Sequence, residues 1–151
     1  METFRSLNAA LDFAIKREEE SFEFYMSLSK NASRPEMQEV FKNFAAEEKG
    51  HKAKLEAIKR GEYNYSPDSA VPDLKIAEYT VKEIPLADLT YQNILILSMN
   101  KEKAAFRLYS DLAKITSDLE VKNLFLGLAQ EEARHKLRFE IEYDDFVLRE
   151  N

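Results

Sequence analysis

Glu48-Lys49-Gly50-His51 and Glu132-Ala133-Arg134-His135 are two Glu-x-x-His runs set 84 residues apart (132 − 48 = 84), and they use both histidines of the chain. Positions three apart share a helix face, so each run aims a carboxylate and an imidazole at one point. Each run also sits on the three-then-four stripe of a buried helix face. Met37, Phe41, Phe44, Glu48, His51, Leu55 and Ile58 form one stripe; Val121, Phe125, Leu128, Glu132, His135 and Phe139 form the other. Ionisable groups thus occupy core positions twice, in the same register. Glu47 and Glu131, one residue earlier, fall off the stripes and read with Glu19 and Glu20 as solvated surface.

The offset of 84 extends well beyond these runs. It carries Glu18 to Glu102, Phe22 to Phe106, Tyr25 to Tyr109, Ser33 to Ser117, Glu36 to Glu120, Phe41 to Phe125 and Ala45 to Ala129. The chain therefore reads as two helix pairs, about 6–60 and 88–148, in a single domain spanning 1–151. In the first helix Leu7, Leu11, Ala14, Glu18, Phe22, Tyr25 and Leu28 are the core positions; in the third they are Tyr91, Leu95, Ser98, Glu102, Phe106, Tyr109 and Leu112. Ser33 with Glu36, and Ser117 with Glu120, read as capping boxes opening the second and fourth helices. Gly61 ends the second helix.

Residues 61–87 differ in character. Pro67, Pro72 and Pro85 exclude a long helix, while Tyr63, Tyr65, Val71, Leu74, Ile76, Tyr79 and Val81 are too apolar for a free linker. A connection this long needs a reason. A crossover along a four-helix bundle supplies one, since it would lay helices two and three parallel. The three tyrosines are expected to serve as packing. The expected fold is all-α.

Four acids on interior stripes (Glu18, Glu48, Glu102, Glu132), left uncompensated, would each cost several kcal/mol against a total stability of about 5–15 kcal/mol. Two divalent cations cancel four carboxylates, and neutral imidazoles complete the shell. One Glu from each of two helices, plus Glu-x-x-His from each of the other two, is the ligand set of di-iron and di-manganese carboxylate proteins. Tyr25 and Tyr109, seven residues after Glu18 and Glu102, lie on nearly the same face and could donate hydrogen bonds to the ligands. A net charge of −6 argues against nucleic acid or an anionic membrane as partner. The absence of cysteine excludes thiolate metal sites. No apolar stretch approaches the ~20 residues of a membrane helix. A cytoplasmic location is expected.

With Glu-x6-Tyr in helices one and three and Glu-Glu-x-x-His in helices two and four, the chain resembles a ferritin-like di-iron protein, closest to the erythrin domain of rubrerythrins. The resemblance implies a ferritin-like four-helix bundle holding two iron ions, with manganese as an alternative. It implies Glu18 and Glu102 as terminal ligands, Glu48 and Glu132 as bridging ligands, His51 and His135 each on one metal, and Tyr25 and Tyr109 beside the cluster. It further implies an oxidoreductase that reduces peroxide or O2 in oxidative-stress defence, supplied by an external electron-donor protein. A homodimer is the expected assembly. The alternatives are a ferroxidase handling iron and a non-catalytic metal-binding bundle. Rubrerythrins typically carry a rubredoxin domain, and no cysteines for one occur here. Many also place an extra acid three residues after the third-helix ligand. Ala105 stands there, so the ligand exchange ascribed to that acid does not carry over. No fifth helix of the kind associated with ferritin cages is read after the fourth.

Overall fold

The computed structural model describes residues 2–69, 71 and 74–150. Four long helices carry the fold: α1 (Leu7–Asn31), α2 (Pro35–Lys59), α3 (Tyr91–Ile115) and α4 (Leu119–Glu150). Short 3-10 turns at Ile76–Tyr79 and Leu86–Asp88 interrupt the connection between α2 and α3. The offset seen in the sequence is kept by the backbone: 7 + 84 = 91, 31 + 84 = 115 and 35 + 84 = 119 give the bounds of α3 and the start of α4.

The chain forms two compact units, each built on one repeat. The N-terminal unit is Phe4–Pro72, with α1 packed on α2; the C-terminal unit is Asp73–Asn151 joined by Met1–Thr3, with α3 packed on α4. In each unit three residues separate the helices (32–34 and 116–118). So short a link returns the chain antiparallel.

Helix α1 shows how the connection is anchored. Its first four N–H groups have no partner inside the helix, and all four are satisfied. Leu7 and Asn8 donate to the carbonyls of Ser69 and Pro67, Ala9 to the Ser6 hydroxyl, and Ala10 to the Ser6 carbonyl. Tyr65 adds a bond from its hydroxyl to Asn8 Oδ1 (2.7 Å). In the C-terminal unit Thr3 bridges Lys75, and Tyr79 is buried with its hydroxyl on Asp111 Oδ2 (2.7 Å). Tyr65 and Tyr79, expected as packing, are therefore also hydrogen-bonded anchors. Val71 and Leu74 are buried as their apolarity requires. Pro72, expected to break any helix here, lies outside the described residues.

Both expected capping boxes are displaced by one residue. Helix α2 begins at Pro35 with Arg34 at the cap position and no side-chain cap bond. The proline ring presets the first-turn angle and has no N–H to satisfy, which takes over what Ser33 was expected to do. At α4 the cap is Asp118, whose carboxylate accepts from Val121 N (3.1 Å). A carboxylate at a helix N-terminus also meets the positive end of the dipole, so Asp118 prevails over Ser117. Elsewhere Gly61 follows α2 with φ of 86° as expected, and Thr90 caps α3, its hydroxyl accepting from Asn93 N.

The two hairpin cores are near copies. Tyr25 stacks on Phe41 with ring centres 6.4 Å apart, and Tyr109 on Phe125 at the same 6.4 Å. Three expected core positions lie elsewhere: Tyr91 is half-buried, and the other two are phenylalanines. Phe106 is 39% exposed, and Phe22 is half-buried with the Lys49 ammonium over its ring. The two phenylalanines come four residues after an inward glutamate, at the edge of the stripe rather than its centre. Ala10 and Leu108 are buried instead.

Candidate metal centre

In the N-terminal unit α1 contributes Glu18, while α2 contributes Glu48 and His51 from successive turns. All three are at most 2% exposed. His51 Nδ1 lies 3.3 Å from Glu48 Oε1 and 3.5 Å from Glu18 Oε2. The C-terminal unit repeats the arrangement: His135 Nδ1 lies 3.6 Å from Glu102 Oε2 and 3.8 Å from Glu132 Oε1, all buried. Within each trio the donor atoms fall within 4.8 Å of one another. The sequence-derived candidates are thus brought together three and three.

These separations exceed the ~2.7–3.2 Å of an ordinary N–H···O bond, and the six facing atoms take no hydrogen bond. Two atoms each ~2.0–2.2 Å from one ion, at angles between octahedral and tetrahedral, stand roughly 3.0–3.5 Å apart. The N-terminal trio has that spacing and the C-terminal trio is slightly wider. A short movement onto a common ion closes either. The donor set, carboxylate oxygen and imidazole nitrogen without sulfur, suits iron or manganese. The residues fit a metal.

Electrostatics in the N-terminal unit point the same way. Burial lowers the pKa of His51, but the adjoining carboxylates of Glu18 and Glu48 outweigh it and push the ring up to about 11. A proton here performs the neutralising role that a cation would take over. The acids beside the trios are differently used. Glu19 pairs with Lys52 and Glu20 with Arg17, whereas Glu47 and Glu131 are half-buried. Tyr25 and Tyr109 are buried, two turns along from Glu18 and Glu102.

One buried acid escaped the sequence reading. Glu142, 1% exposed, accepts from the Tyr91 hydroxyl (2.7 Å) and lies 3.8 Å from Arg149 and 4.0 Å from Arg138. It stands three residues after Phe139, so continuing the α4 stripe by one step would have found it. In the other repeat its place is held by Ile58 (142 − 84 = 58), and that of Tyr91 by Leu7. With two arginines around it, Glu142 is neutralised by the protein itself.

Among the described residues no helix is long and apolar enough to cross a membrane. No curated protein matches the chain. A solved structure of a Thermotoga maritima protein, assigned to the ferritin-like diiron-carboxylate proteins, superposes with a TM-score of 0.83 at 21% identity, covering 95% of this chain and 98% of that one. A hypothetical protein from Pyrococcus furiosus superposes at 0.70 with 27% identity, over 92% and 89% of the two chains. The fold is therefore ferritin-like, all-α with four long helices. The rubrerythrin family model matches residues 9–143, which include both Glu-x-x-His runs and both partner glutamates. On that match the chain belongs to the rubrerythrin family.

Proposed function

We propose that the two units close on each other as one domain, and that Glu18, Glu48, His51, Glu102, Glu132 and His135 together hold two iron ions. The same donors accommodate manganese. The observation that carries this reading is the repeated convergence, in each unit, of two buried carboxylates and one imidazole nitrogen on a single point. Family membership supports it, as does the arithmetic of four carboxylates against two divalent cations. In this reading Glu18 and Glu102 would serve as terminal ligands, and Glu48 and Glu132 would be shared between the two ions, as the family resemblance implies.

The activity proposed is an oxidoreductase that reduces peroxide or O2 in the cytoplasm, in defence against oxidative stress. A separate protein serves as electron donor. Two adjacent metal ions, when bound, would supply two electrons without a radical step. The protein's part is to keep water away from the site with the stacked Tyr25–Phe41 and Tyr109–Phe125 pairs, and to present neutral imidazoles to the metal, the His51 proton being displaced on binding. The phenol Oη atoms of Tyr25 and Tyr109 are read as donors to the ligand carboxylates, fixing their orientation.

Anaerobic stopped-flow spectroscopy of the reduced protein tests the reading. Peroxide or O2 should oxidise the bound iron stoichiometrically, and turnover should resume only when an electron donor is added. Peroxide is expected to react faster. Continued consumption of added ferrous iron, with many ions retained per chain in soluble form, would replace this reading with ferroxidase-driven storage.

A further inference from the structure

The two units differ in polarity on one side of their trios. Between the inward glutamate and the start of its helix, α1 carries Ala14, Leu11 and Leu7, all buried. At the matching positions (each number plus 84) α3 carries Ser98, Leu95 and Tyr91. On the second helix of each pair, Ile58 of α2 answers to Glu142 of α4, both buried. Alanine, leucine and isoleucine in one repeat are thus serine, tyrosine and glutamate in the other. On the opposite side of the trios the core positions correspond in kind: Tyr25 with Tyr109, Phe41 with Phe125, Leu28 with Leu112. Burying a carboxylate is unfavourable unless it is compensated, and the first repeat packs without one, so packing alone does not call for the polar set.

The three residues lie in order along the seam of α3 and α4. At 1.5 Å per residue, Ser98 stands about 6 Å along α3 from Glu102, and Tyr91 a further ~10 Å. Ser98 is wholly buried, its hydroxyl donating to the Ile94 carbonyl (2.8 Å). Tyr91 is half-buried, its hydroxyl donating to Glu142 Oε2 (2.7 Å). Helical side chains lean toward the N-terminus of their own helix, so the Glu142 carboxylate leans along α4 toward Phe139 and His135. Arg149 at 3.8 Å and Arg138 at 4.0 Å offset its charge. A phenol, a carboxyl group and a serine hydroxyl can each take up a proton at one lone pair and release one from the same group.

We infer, on the reading proposed above, that protons reach the metal site through the C-terminal unit by way of Tyr91, Glu142 and Ser98. Two-electron reduction of one peroxide takes up two protons and yields two waters (H2O2 + 2e− + 2H+ → 2H2O). The six candidate ligands are at most 2% exposed, so those protons must be carried inward. In each transfer Tyr91 gives its hydroxyl proton to Glu142 Oε2 and takes another from solvent water. The Glu142 carboxyl group turns inward past Leu95 and Phe139 and passes the proton, through one water, to Ser98. The Ser98 hydroxyl rotates off the Ile94 carbonyl, accepts that proton and releases its own toward the oxygen being reduced. Each group ends as it began, and the electrons are those of the external donor.

Stopped-flow mixing of the reduced, iron-loaded full chain with hydrogen peroxide, in weak buffer with a pH-indicator dye, reads iron oxidation and proton uptake separately. In wild type the two should run together. Glu142→Gln still offers Tyr91 an acceptor but carries no proton. It should keep the wild-type metal content and slow proton uptake at least about tenfold. Tyr91→Phe should do the same, as should Ser98→Ala, which installs the residue of the first repeat. Glu140→Gln, off the seam, should not. In Glu142→Ala, which opens space beside Tyr91, formate should restore proton uptake and chloride should not. Should Glu142→Gln fail to load metal, Ser98→Ala, which changes no charge, decides. A loaded Glu142→Gln or Ser98→Ala protein that takes up protons at the wild-type rate would overturn the inference, as would a Glu142→Ala defect that formate leaves unchanged. A wild type that peroxide does not oxidise would overturn the proposed function and this inference with it. Oxidation of wild type and all variants at one rate, with proton uptake in step, would overturn the inference alone.

Discussion

Glu142 offers a demanding test of how the two repeats diverged, because the protein contains its own apolar precedent at Ile58. Replacing Glu142 with leucine keeps similar bulk but leaves the Tyr91 hydroxyl, now 2.7 Å from a carboxylate oxygen, without its acceptor. A hydrogen bond to a charged group contributes about 1.5–3 kcal/mol. Arg138 and Arg149 add little to the loss. Their side chains are 26% and 49% exposed and return to water. Glu142→Leu should therefore cost about 2 kcal/mol, or roughly 4–8 °C in Tm for a chain of this size. Tyr91→Phe should cost about 1–2 kcal/mol, since it removes a donor from a buried carboxylate while keeping the ring on Phe146 (centres 5.1 Å apart). The double variant removes both polar partners and should approach wild-type stability, as replacing a buried polar pair by apolar groups often does. Urea unfolding of metal-free protein, kept in chelator so that metal linkage is absent, gives all four corners of the cycle. A coupling of about 3 kcal/mol is expected, the two single losses together less the small residual cost of the double variant. Additivity within ~0.5 kcal/mol, or a Glu142→Leu variant as stable as wild type, would refute the reasoning.

Metal loading at neutral pH should release about one proton per chain from His51, whose ring pKa of about 11 keeps it charged until an ion displaces the proton; calorimetry in buffers of different ionisation enthalpy counts it. The same shift fixes a sign in the metal-free protein. A folded pKa raised above the ordinary ~6.5 gives stability that is complete below that value and lost as pH rises toward about 11, so His51→Ala should flatten the fall of stability above neutrality. Tyr79→Phe should cost about 1–2 kcal/mol by removing the donor to Asp111, and fluorescence-monitored unfolding reads it. Burial first, then the Asp111 carboxylate, raises the Tyr79 pKa. Its contribution therefore holds below the ordinary ~10 and fades as pH rises above it. Gly61→Ala places a side chain at φ of 86° with nothing within 4 Å of its Cβ, so backbone strain alone should cost about 1 kcal/mol, measurable by thermal melting.

Periodicity and internal repetition made the helices and the buried trio of each unit legible. Glu48 and His51 stand out because a stripe from Met37 to Ile58 allows only one reading of which way they point, and the repeat confirms the register at Glu132 and His135. The sequence says less wherever two nearby residues compete for one task. Ser33 and Arg34 compete at one cap, Ser117 and Asp118 at the other, and the outcome depends on local geometry that a serine–glutamate spacing does not contain. Phe22 and Phe106 show the same weakness at a stripe's edge, about 40° round the helix from the inward glutamate at 100° per residue. Glu142 went unread because its partners come from Tyr91, 51 residues away, and from the far end of α4. The hydrogen-bonding of Tyr65 and Tyr79 likewise depends on which part of each hairpin the connection happens to follow.

The proposed metal site uses the inward glutamates and histidines and not their neighbours. Counting metal by plasma emission in protein purified with iron and without oxygen tests it most directly. Wild type should hold about two transition-metal ions per chain, as the ligand set requires. Glu48→Ala and Glu132→Ala should each lose most of them, and Glu47→Ala should keep them. A Glu47→Ala protein stripped of metal, beside a Glu48→Ala protein that retains both ions, would contradict it.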